Sequence, residues 1–194
     1  GIKFENDFSV VELQMTAPSL DDTMPDNERL SWAIEAATGK GRVKLTYHVL
    51  KKLPDALRDN EFHVNVVLKK LHHSVLVYDV VPVTEERICG AAIDIGTTTV
   101  SAVILDLRDG KILAKASAGN GQIRFGADVI NRIIESRKTG GEAKLQKAII
   151  DETLNPMLHN MCRAAGIQGS QIYHLCVASN TTMNHLLLGV NADP

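Results

Sequence analysis

Between residues 91 and 118 the chain alternates short apolar runs with tight turn signals, and this pattern limits what it can fold into. Residues 91–95, Ala-Ala-Ile-Asp-Ile, are apolar, too few for a helix, and closed by Gly96-Thr97-Thr98, so a strand is expected. Residues 99–107 make a second strand. Arg108-Asp109-Gly110-Lys111 contains Asp-Gly, the strongest short hairpin signal, and residues 112–118 make a third. The period then changes. Residues 126–137 set Val129, Ile130, Ile133 and Ile134 on one helical face. Residues 142–165 form a long helical stretch, bent at Pro156 and ended by Gly166. Residues 172–178 return as a fourth strand, and residues 181–188 open a last helix closed by Gly189. The expected class is α/β.

The first 20 residues read as an extended lead-in, with Phe8, Val10, Val11 and Leu13 alternating imperfectly before Pro18. Asp22, Thr23, Pro25 and Asp26 then signal a helix start. Leu30, Ile34 and Ala37 share a face of this helix, and Gly39-Lys40-Gly41 ends it. A second helix is expected over residues 45–59, with Leu45, Val49, Leu53 and Leu57 in one stripe and a kink or split at Pro54. Residues 62–68 and 74–83 read as two strands of a hairpin. The expected organisation is a linker segment at 1–20, a small α-α-β-β middle domain at 21–86, a charged linker at 84–87 and a second domain at 89–194.

Composition removes several function classes. The 194 residues carry a net charge of −2, which is no electrostatic footprint for nucleic acid, and 4% aromatic content offers little stacking surface. No apolar run approaches the roughly 18 residues of a membrane span, and no secretory signal is visible. Cys89, Cys162 and Cys176 are scattered and odd in number, which points to a reducing cytoplasm. Without a C-x-x-C pair, the chain shows no recognisable zinc or iron–sulfur ligand set. It begins at Gly1 and stops at Pro194, as expected of a piece cut from a longer protein.

The candidate site centres on Asp94-Ile95-Gly96-Thr97-Thr98. Gly96 lets the backbone approach a ligand closely, and the N–H groups and hydroxyls of Thr97 and Thr98 can bond phosphate oxygens. Asp94 stands where Mg²⁺ and its waters would need a carboxylate. The plainer alternative is an ordinary Gly-Thr-Thr hairpin turn. Asp128 is either a site residue or a first-turn charge. Asn180 and Thr181 either join the site or cap the last helix. His159 and Cys162, one helical turn apart, either share a metal or are a surface His beside a core Cys. Gly39-Lys40-Gly41 lacks Walker spacing and Gly119-x-Gly121 lacks Rossmann spacing.

Asp94-Ile95-Gly96-Thr97-Thr98-Thr99 after an apolar strand resembles the first phosphate motif of the actin-like ATPase superfamily. Residues 122–130 (Gln-Ile-Arg-Phe-Gly-Ala-Asp-Val-Ile) and 180–189 (Asn-Thr-Thr-Met-Asn-His-Leu-Leu-Leu-Gly) resemble stretches of the reductive activators of corrinoid proteins, as do 18–22 and 27–30. The resemblance implies a protein with a [2Fe-2S] ferredoxin-like domain, a linker, a middle domain and an ATPase domain, which uses ATP to reduce Co(II) corrinoid proteins of methyltransferase systems to Co(I). On that basis residues 89–194 open a ribonuclease H-like domain, truncated before its fifth strand. Asp94 places Mg²⁺; Gly96, Thr97, Thr98, Asp128, Asn180 and Thr181 contact ATP. The iron–sulfur cluster belongs to the parent and not to this piece, which alone is expected to be inactive; a homodimer is allowed for. The chain departs from the family at Gly121, where Pro is usual, and at Ser179, where Gly usually precedes Asn180. The rival functions are a sugar-kinase-like phosphotransferase and a non-enzymatic docking or dimerisation module with a degenerate ATPase half.

Overall fold

The computed structural model describes residues 7–189. The first six residues of the lead-in and the last five of the second domain lie outside the described residues. The chain divides into two compact units, one holding residues through Ile88 together with Leu107–Gly110, the other Cys89–Asp106 and the residues from Lys111 onward.

In the first unit the order is β1 (Phe8–Gln14), α1 (Asp26–Thr38), β2 (Val43–Leu45), α2 (Tyr47–Asp59), β3 (His63–Lys70) and β4 (Val75–Pro82). The sheet order is β1-β3-β4-β2. β3 and β4 form the expected antiparallel hairpin. The α-α-β-β expectation for residues 21–86 missed β2, and the lead-in before it adds a further strand to the sheet. The lead-in is a strand, antiparallel to β3 from Phe8↔Lys69 to Gln14↔His63. Residues 43–45, partly assigned to a helix, run parallel to β4. Both strands are short or imperfectly alternating, and their extended form is fixed by ladder bonds to distant residues rather than by their own pattern.

Gly39 ends α1 in the left-handed region, its N–H donating to Glu35 O. Leu30 and Ile34 are fully buried, whereas Ala37 is exposed and Ala33 packs in its place. Thr46 caps α2, accepting from the Val49 N–H at 3.1 Å. The helix continues through Pro54 without the expected split. Pro54 is on the exposed side, where helices curve outward and bonds are already long, while Val49, Leu53 and Leu57 are buried beneath it. Their contacts outweigh one missing bond. Arg29, 7% exposed, forks onto Asp22 through Nη1 at 2.7 Å and Nη2 at 2.9 Å. Nη1 also donates to Thr16 O at 2.9 Å. The pair ties the chain before α1 to the helix.

The second unit holds β5 (Cys89–Ile95), β6 (Thr99–Asp106), β7 (Ile112–Gly119), α3 (Val129–Ser136), α4 (Gly141–Ile149), α5 (Asn155–Ala165), β8 (Ile172–Ser179) and α6 (Thr181–Leu188). The sheet order is β7-β6-β5-β8. β5 pairs antiparallel with β6 and parallel with β8. Ala91, Ile93 and Ile95 pack with Leu145, Ile149, Met157 and Met161 in one core. The long helical stretch is a continuous path through a π-helical turn, Ile150–Leu154, which stands just ahead of Pro156. Proline has no N–H for the helical ladder, and the widened turn takes up the mismatch.

Two outcomes test these packing arguments. Pro54→Ala restores a helical N–H on an exposed face and should stabilise the chain by about 1–3 kcal/mol in urea unfolding; unchanged or lower stability would show that the helix is bent to suit the proline. Arg29, through its hydrogen bonds, and the Met24 N–H hold the Asp22 carboxyl below the usual carboxylate range. A folded value below the unfolded one stabilises above about pH 4 and is lost as pH falls through the folded value. Asp22→Asn should therefore unfold earlier than wild type at neutral pH, and the gap should close as pH falls below about 4; a pH-independent gap would refute the pair's role.

Candidate functional site: the turn between β5 and β6

The turn at residues 96–98 leaves the sheet where parallel strands β5 and β8 end together, Ile95 opposite Ser179. In α/β sheets, ligands collect outside the carboxyl ends of the strands. The Gly96 N–H donates to Thr99 O at 2.9 Å. A Cβ on Gly96 would lie 2.7 Å from that same oxygen, so glycine is required by close approach.

The turn's carbonyls are all engaged by protein donors. Asn120 Nδ2 donates to Gly96 O at 2.9 Å, Arg132 Nη2 to Thr97 O at 2.5 Å, and the Asn120 N–H to Thr98 O at 2.8 Å. Across a trans peptide the C=O and the next N–H point in opposite directions. Holding the Gly96 and Thr97 carbonyls inward therefore turns the N–H groups of Thr97 and Thr98 outward. Neither N–H has an acceptor among the described residues, and neither threonine hydroxyl has a partner there. Successive free N–H groups of this kind form an anion-binding concavity. Asp94, next to last in β5, is exposed, and its carboxylate makes no hydrogen bond or ion pair among the described residues.

The donors that shape the turn are buried. Asn120 is 1% exposed, and so is Gln122, while Arg132 is fully enclosed. Asn120 Oδ1 accepts from the Gln122 N–H at 2.9 Å, and Gln122 Nε2 donates to Leu145 O at 2.9 Å. Arg132 Nε donates to Gly126 O at 2.9 Å; its Nη1 reaches Gln122 Oε1 and Met183 Sδ, each at 3.4 Å. Burial pushes the Arg132 guanidinium below the usual arginine range, with the Asp128 charge acting the other way.

Arg132 also corrects the expected face of α3. Val129 and Ile133 pack on the core, but Ile130 is 70% and Ile134 50% exposed. Residues two apart on a helix lie roughly 200° around the axis, so turning Arg132 inward turns both of these isoleucines out. The helix itself begins at Val129, three residues later than expected, and residues 121–125 before it form a 3-10 turn. That loop is tied down. The Gly121 N–H donates to Thr153 Oγ1 at 3.1 Å, and Arg124 pairs with Glu152. A Cβ at Gly121 would meet Ala148 O and Thr153 Oγ1 at 2.9 Å, and proline would have no N–H to donate. Gly121 thus sits in a loop that is fixed without the proline usual there.

Asp128 caps α3, accepting from the Asn131 N–H at 2.8 Å and from Asn131 Nδ2 at 3.1 Å. Asn180 caps α6, accepting from the Met183 N–H at 2.9 Å, and exposed Thr181 is that helix's first residue. Ser179 Oγ donates to Asn184 Oδ1 at 2.5 Å, a staple that glycine would lack. Because Met183 touches Arg132, the capped end of α6 is joined to the turn through one side chain. The missed residue is Arg132. Its one signal was a lone cation inside the Ile-rich run of α3.

Two family models match the chain: one described as RACo linker region over residues 1–87, the other as RACo middle region over 89–194. The chain belongs to the RACo family. The resemblance to the reductive activators of corrinoid proteins is thereby borne out. The corrinoid activation enzyme RamQ of Eubacterium limosum is 39% identical over 119 residues, covering 59% of this chain and 20% of that protein. The solved structure of a "reductive activator for corrinoid, iron-sulfur protein" aligns over 98% of this chain and 30% of its own, with 34% identity and a TM-score of 0.79. The chain thus spans less than a third of the length of these relatives. In RACo terms every residue of the turn and its clamp lies in the middle region.

If close approach shapes the turn, Gly96→Ala must open it. The expected result is a loss of about 1–3 kcal/mol in stability, with altered amide resonances confined to residues around 96–99 and 120. Unchanged spectra at Thr97 and Thr98 would show that the turn does not need glycine.

Proposed function

We propose that residues 89–194 open the actin-like ATPase domain of an ATP-dependent reductive activator, and that the turn at residues 96–98 holds phosphates of ATP. The observation that carries this is the pair of outward N–H groups and free hydroxyls on Thr97 and Thr98, with their carbonyls engaged behind them. The sheet order β7-β6-β5-β8, with β5 and β8 parallel, supports a ribonuclease H-like opening. In the parent protein the reaction would be reduction of a Co(II) corrinoid protein to Co(I), the partner belonging to a methyltransferase system. RamQ's naming as a corrinoid activation enzyme supports the partner class.

Mg²⁺ is held in nucleotide sites by one or two carboxylates plus phosphates and waters, not by a protein cage. One exposed, unpaired carboxylate beside a phosphate turn fits that mode, and Asp94 would hold the ion through water. Bound there, Mg²⁺ would neutralise charge on the phosphates. Thr97 and Thr98 would orient the phosphate oxygens, and Asn120 and Arg132 would keep their N–H groups facing out. The cysteines do not fit a [2Fe-2S] ligand set. Cys89 and Cys162 are buried, Cys176 is exposed on β8, and burial pushes the Cys162 thiol up. No cluster-forming group of three ligand residues occurs among the described residues. Likewise, no helix among them is long and apolar enough to cross a membrane.

Asp94→Asn in the full-length parent should lower ATP-dependent Co(II)-to-Co(I) activation by about 10²–10³-fold while thermal melting hardly moves. Activation within about twofold of wild type would remove Asp94 from the mechanism.

A further inference from the structure

Arg132 is fully enclosed, yet no carboxylate pairs with it among the described residues. Asp128, the one acid whose charge bears on it, is spent on the Asn131 N–H and side chain. A buried guanidinium with neutral partners is costly unless its donors are satisfied and its charge is answered. Each of its three nitrogens has an acceptor: Gly126 O on Nε, Gln122 Oε1 and Met183 Sδ on Nη1, and Thr97 O on Nη2. The charge is unanswered, and Thr97 O is on the very peptide that turns the Thr98 N–H outward. Arginine stays protonated in proteins, so the cation sits directly behind an anion cradle. Uncharged donors could hold a carbonyl at lower desolvation cost, as Asn120 does for Gly96.

We infer that Arg132 is the positioning residue of the phosphate turn, and that its charge is balanced by a polyphosphate seated on the Thr97 and Thr98 amides. This rests on the reading of the turn as a phosphate site. The ligand chemistry is a di- or triphosphate group, free or at the end of a nucleotide. Arg132 does not touch it. It fixes the direction of one peptide and supplies a positive field in a low-dielectric surrounding, where such a field is felt most. Arg132 also contacts Met183 of α6.

The test is tripolyphosphate titration of the chain, followed by amide resonances, in wild type, Arg132→Lys and Arg132→Met. In wild type the Thr97 and Thr98 amides and the Arg132 Nε–H should shift together with one apparent Kd. Arg132→Met should weaken binding at least about tenfold, with Arg132→Lys in between, since lysine keeps the charge and loses the fork. No shift of Thr97 or Thr98 in wild type would overturn the phosphate reading and this inference with it. Wild-type binding with Arg132→Met within about twofold would overturn the role of Arg132 alone. Should Arg132→Met fail to fold, wild type still decides: an Arg132 Nε–H that exchanges fast, or stays fixed while Thr98 moves, overturns the inference.

Discussion

Three consecutive carbonyls, those of Gly96, Thr97 and Thr98, are engaged by the protein's own donors, and the character of the site follows from that. A peptide whose oxygen is held inward must present the following N–H outward. The donors are a buried asparagine and a buried arginine, each satisfied by further buried partners. A half-satisfied network in that place would cost more than an apolar one. An acceptor on every nitrogen of the guanidinium is what allows its charge to be enclosed behind the turn.

Each unit has its own hydrophobic core. One is built from Leu30, Ile34, Leu53, Leu57, Val64 and Val66, the other from Ile93, Ile95, Val100, Leu145 and Ile149. The helices of the second unit meet the turn through polar side chains of the 120–132 segment rather than through the core. The side chain that joins the turn to α6 is Arg132.

The β5–β6–β7 meander, the hairpin of β3 and β4, and the ends of α1, α5 and α6 were legible in the sequence. Each rests on local physics: Asp109-Gly110 in the turn before β7, Gly39, Gly166 and Gly189 in left-handed caps, and runs of β-formers bounded by turn residues. The turn itself was legible too, because Gly96-Thr97-Thr98 closes an apolar strand. β1 and β2 were hidden because their partners, β3 and β4, are far along the chain. Pro54 misled because a proline's local cost was weighed without the apolar stripe beneath it.

The sequence by itself therefore determined the α/β class, most element boundaries and the position of the turn at residues 96–98. It determined these because turns, caps and periodicity depend on neighbours a few residues apart. Only the tertiary structure decided which way α3 rolls, and hence that Arg132 goes in while Ile130 and Ile134 stay out. Hydrophobic periodicity alone would roll the helix further, to bring Ile130 and Ile134 inward with Val129 and Ile133. It was outweighed by four acceptors on Gly126, Gln122, Met183 and Thr97, brought together from three separate stretches of chain. No local pattern records such a meeting, because it exists only once the sheet and helices have closed around it.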